Sequence, residues 1–241
     1  GWKSARIDRT ESSVGMTMGA QELKVKICGI RALEDALVAA EAGADFIGMV
    51  FVPERHRRIT PKEAKVIADG VRNSGGPAPR IVGLFADQAI EEVAGIVEFC
   101  GLDLVQLCGK ESVEYAGQTG CDVIKVVHVA ESATATDDAG TGAQVKEFSG
   151  VGHLVTLDRY VEGIQGGTGV GFDWDVAASL SQAGHPFLLA GGLTPENVLK
   201  AITKVHPWGV DVSSGVETNG KKDHAKIRDF MHEARAASKA I

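Results

Sequence analysis

From Leu23 onward one rhythm repeats along the chain. A run of four to six β-branched or otherwise apolar residues is followed by a turn, then by a segment of helical period rich in Ala, Glu and Lys. The apolar runs are KVKIC (24–28), FIGMVF (46–51), RIVGLF (80–85), LVQL (104–107), DVIKVV (122–127), HLVTLD (153–158), FLLA (187–190) and GVDVS (209–213), and they predict eight strands. Between them the spacing predicts helices over 33–42, 61–70, 89–100 and 195–205. Thr60–Pro61 and Thr194–Pro195 each place an N-cap side chain before a proline whose missing N–H costs nothing in the first turn. Gly43 and Gly70 stand where helices are expected to stop. The fifth helix is the weak point: residues 130–143, AESATATDDAGTGA, are polar and repetitive, and a mobile loop is expected there.

Strands that are apolar on both faces and alternate with helices belong in a parallel sheet covered on both sides. The economical closure is an α/β fold of the (β/α)8 TIM barrel type, one catalytic domain over 23–241 preceded by a leader or linker over 1–22. The competing fold, a doubly wound open sheet, calls for G-x-G-x-x-G after the first strand, where CGIRAL stands instead.

Composition narrows the partners. Hydrophobic residues make up 44% and charged residues 24% of 241, and no run approaches the roughly 18 apolar residues of a membrane span, so no membrane role is expected. The net charge of −7 argues against a nucleic-acid surface and requires any anionic ligand to be held by a local site. Cys28, Cys100, Cys108 and Cys121 match neither a zinc site nor a redox pair, and with no secretory signal they predict free thiols in a reducing compartment, the cytoplasm.

In such a barrel the chemistry sits at the C-terminal strand ends. That filter retains Cys28, the segment PERHRR, Cys108, His128, Asp158, Gly191 with Gly192, and Ser213 with Ser214. LAGGLTPEN and DVSSGVET offer small residues after strands seven and eight, where barrels often bind phosphate; the competing reading is a pair of turns using glycine for positive φ. Cys28 and Asp158 would point an acid and a base into one mouth. The competing readings are a small buried hydrophobe for Cys28 and a cap or an Arg159 partner for Asp158. A catalytic thiol needs a positive charge nearby, for which Arg57 is the candidate. Arg55, Arg57 and Arg58 would clamp a carboxylate unless they are simply solvated, and His128 reads as a non-ligand. Residues 163–171, GIQGGTGVG, lack the ending of a P-loop and read as a lid.

KVKICGI, ADFIGMVF, RRITP, VQLCGKE, LDRYVEGIQGGTGVGFDW, LAGGLTPENV and GVDVSSGVETNGKKDHAKI together resemble the phosphoribosylanthranilate isomerases of tryptophan biosynthesis, from about Lys24 to about Ala234. The resemblance implies an Amadori rearrangement of a phosphorylated small molecule, with no cofactor and no metal. By the family pattern Asp158 is the general acid and Cys28 the general base. Arg57 binds the anthranilate carboxylate and Asp211 positions the substrate. Gly191, Gly192, Ser213, Ser214 and Gly215 fall in the phosphate loops. Two positions depart from that pattern: Cys108 stands where the family usually has histidine, and Val170 where it usually has lysine or a similar residue. Fungal members often form part of a multifunctional chain, and Gly1 in place of a start methionine, with the linker-like leader, motivates the hypothesis of covalent fusion to other tryptophan-pathway domains. The rival functions are another sugar-phosphate enzyme on a phosphate-binding barrel and a degenerate barrel kept for docking.

Overall fold

The computed structural model describes residues 22–129, 140–159 and 174–238. The leader up to residue 21, the stretch 130–139 and the glycine-rich segment with Val170 lie outside them.

Eight parallel strands close on themselves in chain order: β1 (Lys24–Cys28), β2 (Phe46–Val50), β3 (Arg80–Phe85), β4 (Leu104–Leu107), β5 (Asp122–Val129), β6 (Leu154–Arg159), β7 (Leu188–Leu189) and β8 (Gly209–Val212). Helices α1 (Leu33–Glu41), α2 (Pro61–Arg72), α3 (Ile90–Cys100), α4 (Val113–Ala116), α5 (Thr141–Gly150), α6 (Trp174–Gln182) and α7 (Val198–Val205) alternate with them. After β8 a 3₁₀ turn (Ser214–Val216) leads into a short antiparallel ribbon, β9 (Glu217–Thr218) and β10 (Lys221–Lys222), and then α8 (His224–Ser238). The fold is the expected TIM barrel. No helix among the described residues is long and apolar enough to cross a membrane.

The strand period of two divides the apolar residues between two cores. One face of each strand packs under the helices, where Val25, Ile27, Ile47, Phe85, Phe187 and Phe230 are buried. The other fills the barrel, with Cys28, Phe46, Val50, Val82, Leu84, Leu104, Ile124 and Leu188 in contact. Each such buried aliphatic or aromatic side chain contributes about 1.5–3 kcal/mol.

Three local expectations change. Gly70 does not end α2, which runs on to Arg72; a Cβ there would lie 2.5 Å from Leu33 Cδ1, so this glycine lets α1 and α2 approach closely. Thr60 does cap α2, accepting from the Glu63 N–H while Glu63 Oε2 accepts from the Thr60 N–H at 2.7 Å. Thr194 does not cap α7. The helix starts at Val198 because Asn197 folds back, its Oδ1 accepting from the Thr194 N–H at 2.8 Å and its Nδ2 donating to the Gly192 carbonyl at 2.9 Å, which holds the chain in a turn. Finally, the described part of the expected 130–143 loop is already helical from Thr141.

Candidate active site

One cavity opens at the C-terminal ends of the strands. Cys28, Arg57, Asp158, Gly191, Gly192, Asp211, Ser213, Ser214 and Gly215 all line it, together with Arg55, His56, Gln106, Cys108 and His128. Arg58 is not among its walls; its backbone bridges Val50 instead. No cluster of three or more metal-ligating side chains occurs among the described residues.

Cys28 ends β1 because two glycines make room around it. Gly48, its register partner in β2, would carry a Cβ 2.9 Å from the Cys28 sulfur. Gly29, at φ +77°, turns the chain sharply, and a Cβ there would meet Arg57 Cδ at 2.5 Å and Ser213 Oγ at 3.0 Å. The C-G pair thus presents the thiol at the rim and lets Arg57 lie across the turn.

Burial pushes the Cys28 thiol up, Lys26 and Lys222 draw it down, and Asp211 adds to the rise; burial wins. The sequence pointed to Arg57 as the cation beside the thiol. Lys26 and Lys222 act on the thiol as well, while Arg57, whose own charge is favoured by Cys28, is oriented by Glu217 through Nε–Oε1 at 2.7 Å and Nη2–Oε2 at 2.8 Å. Lys26 lies two residues before Cys28 on the inward face, fully buried, with Nζ 2.7 Å from Asp211 Oδ2. Burial opposes its charge, but Asp211 and then Cys28 raise its pKa above the ordinary lysine value. Asp211 Oδ1 is buried with no hydrogen-bond partner among the described residues.

Asp158, half-buried, ends the inward row of β6 beside His128 of β5. Cys108 is pushed up to about 12, first by burial and next by Cys28, so it faces the cavity as a neutral thiol, with Gln106 Nε2 3.7 Å from its sulfur.

The loops after β7 and β8 need their glycines for different reasons. Gly191 and Gly192 have φ of +89° and +70°, the left-handed region. A Cβ on Gly215 would lie 1.8 Å from the Leu193 carbonyl oxygen, so the two loops meet backbone to backbone. The cavity wall here is thus built of closely packed loop backbone, whose N–H groups would suit an anion where they face it.

Lys26, Glu217 and Lys222 escaped the sequence reading. Lys26 was detectable, since positions 24, 26 and 28 of one strand share a face. Glu217 and Lys222 lie within the quoted GVETNGKKD stretch, but nothing in their spacing says that they meet Arg57.

Comparison with known proteins decides the lineage. The sequence profile of the family described as N-(5'phosphoribosyl)anthranilate (PRA) isomerase matches residues 25–233. The chain belongs to the phosphoribosylanthranilate isomerase family. The N-(5'-phosphoribosyl)anthranilate isomerase of Roseiflexus sp. is 47% identical over 221 residues, 90% of this chain and 99% of its own. That of Dehalococcoides mccartyi is 43% identical over 218 residues, 89% of this chain and 97% of its own. Among solved structures, the phosphoribosyl anthranilate isomerase of Thermotoga maritima superposes with a TM-score of 0.76 at 34% identity, covering 89% of this chain and 99% of that one. A phosphoribosyl anthranilate isomerase in complex with reduced 1-(o-carboxyphenylamino)-1-deoxyribulose 5-phosphate superposes with a TM-score of 0.73, at the same identity and coverage. Membership in this isomerase family sets aside the doubly wound sheet and the unrelated sugar-phosphate enzymes as readings of the chain.

Proposed function

We propose that the chain catalyses the Amadori rearrangement of N-(5-phosphoribosyl)anthranilate to 1-(2-carboxyphenylamino)-1-deoxyribulose 5-phosphate in tryptophan biosynthesis. The observation that carries this reading is the single cavity in which Cys28 and Asp158, from β1 and β6, share walls with Arg57 and the β7 and β8 loops. It joins a base and an acid to two places suited to anions.

In the reaction Asp158 donates its proton to the ribose ring oxygen as the C1–O bond breaks, and the anthranilate nitrogen lone pair forms the C1=N Schiff base. The Cys28 thiolate then takes the proton from C2. The electron pair of that C–H bond becomes the C1=C2 double bond of an enolamine, and the C1=N pair returns to nitrogen. Loss of the O2 proton and addition of a proton at C1 give the ketone, so the sum is an isomerisation. Arg57 receives the anthranilate carboxylate, and the backbone of Gly191, Gly192, Ser213, Ser214 and Gly215 receives the phosphate. Asp211 accepts a hydrogen bond from a substrate hydroxyl, relieving a buried acceptor whose unmade bond costs about 1–3 kcal/mol.

The test follows the loss of anthranilate fluorescence on adding enzyme to the substrate. Each general acid–base group is worth about 10² to 10⁴ in rate, so Cys28→Ala and Asp158→Asn should each lose that much while keeping the fold. A folded but inert parent would sink the assignment of activity, and fully active variants the assignment of roles.

Two further readings belong with this proposal. Residues 1–22 act as a linker that joins the barrel to other enzymes of the same pathway, which the coding sequence upstream would decide. The enzyme works in the cytoplasm, where its free thiols stay reduced, and fractionation of cells would test this.

A further inference from the structure

The proposed substrate carries a carboxylate at one end and a phosphate at the other, and a chain of net charge −7 must hold both by local charge. Part of that charge meets in one cluster. Arg57, from the loop after β2, and Lys222, from β10, share the single carboxylate of Glu217 in β9, with Lys222 Nζ 2.7 Å from the same Oε1 that accepts from Arg57 Nε. The side chains of Arg57, Glu217 and Lys222 are 15%, 7% and 2% exposed. Two cations share one buried anion at the mouth, and Arg57 first, then burial, hold the neighbouring His56 below the ordinary histidine value.

The cluster also fixes geometry. Glu217 occupies the Nε and Nη2 edge of the guanidinium, which leaves the Nη1 end for the cavity that Arg57 lines. Lys222 Nζ donates to the Ser213 carbonyl at 2.9 Å, at the point where β8 becomes the phosphate loop. Lys226 Nζ donates to the Glu217 carbonyl at 2.9 Å, anchoring the ribbon to α8. One carboxylate is therefore joined on one side to the carboxylate clamp and on the other to the backbone that cradles phosphate.

We infer that Glu217 and Lys222 are positioning residues that couple the two anion-binding ends of the site, Glu217 orienting Arg57 and Lys222 transmitting that orientation to the phosphate loop through the Ser213 carbonyl. The inference rests on the proposed function for the identity of the two anions. It predicts that neither end can be loosened alone.

The test measures, by calorimetry, the binding of 2-aminobenzoate for one end and inorganic phosphate for the other, on the parent, Glu217→Gln, Lys222→Met, the double variant and Lys222→Arg, beside KM and kcat. Each single substitution should weaken both probes and raise KM about tenfold, with kcat less affected in Glu217→Gln and lowered as well in Lys222→Met, which withdraws a cation from the Cys28 thiol, and in binding of either probe the double variant should lose little more than either single one. Lys222→Arg, which keeps a donor for both oxygens, should restore most of the loss. Additive losses, with 2-aminobenzoate sensitive only to Glu217→Gln and phosphate only to Lys222→Met, would overturn the coupling; so would constants unchanged in every variant. Should Glu217→Gln not fold, Glu217→Asp takes its place. An inert parent refutes the functional reading, whereas an active parent with uncoupled ends refutes only this one.

Discussion

Lys26 and Asp211, separated by 185 residues in sequence, meet as a buried ion pair at 2.7 Å, one inward-facing position below Cys28 on β1. Parallel pairing of β1 with β8 puts the two residues in register, so barrel closure itself makes the contact. Taking both charges out of water is costly, and the pair holds because each neutralises the other.

Lys26→Met removes one partner and leaves the Asp211 carboxylate buried without compensation. A loss of about 3–5 kcal/mol in unfolding free energy is expected, read from urea denaturation at neutral pH. A variant as stable as the parent would refute a stabilising role for the pair.

The thiol of Cys28 should alkylate slowly. Because burial raises it above the ordinary value of 9.0, the thiolate fraction at neutral pH is smaller than that of a free cysteine. The rate of reaction with iodoacetamide should climb with pH through and beyond 9.0 in the parent. In Lys222→Met, which loses one of the cations that draw the thiol down, the curve should move to still higher pH. An unshifted curve would show that Lys222 exerts no field on the thiol.

Acid should unlock the Glu217 cluster. Burial opposes the charge of this carboxylate, but hydrogen bonds from Arg57 and Lys222 prevail and hold its pKa at about 2, against an ordinary 4.5. A depressed carboxylate contributes stability that is complete above the unfolded value and lost as pH falls toward the folded one. The melting temperature of the parent should therefore drop between pH 4.5 and about 2 more steeply than that of Glu217→Gln, which has no proton to gain at this position. Parallel curves for the two proteins would refute it.

Gly215→Ala introduces a methyl group 1.8 Å from a backbone oxygen that has no rotamer to escape into. One of the two loops must move, and a displacement near 1 Å at a positioning element costs about 10²-fold in kcat/KM. The loss should appear mainly in KM and in the binding of inorganic phosphate. Unchanged kinetics would show that phosphate is held elsewhere.

The strands were legible in sequence because an apolar run of four to six residues, closed by a turn, has few other ways to bury both faces. The place of Cys28 and Asp158 on the cavity wall was legible by a related rule, that residues ending barrel strands face the mouth. The caps were less so. Thr60–Pro61 and Thr194–Pro195 look alike in sequence, yet only the first starts a helix, because Asn197 draws Thr194 into a turn through a contact that local propensity does not encode. Gly70 likewise resembles a helix stop until Leu33 of the neighbouring helix is seen against it.

By itself the sequence determined the alternation of strand and helix, the barrel that such alternation closes into, and the residue types at its mouth. These follow from period and burial, which are properties of neighbouring positions. Only the tertiary structure decided which charges meet: Lys26 with Asp211, Arg57 and Lys222 on Glu217, and the thiol of Cys28 within the field of two lysines. Electrostatic energies depend on distance in space and on the water removed between the groups, and neither is written in the order of residues along the chain.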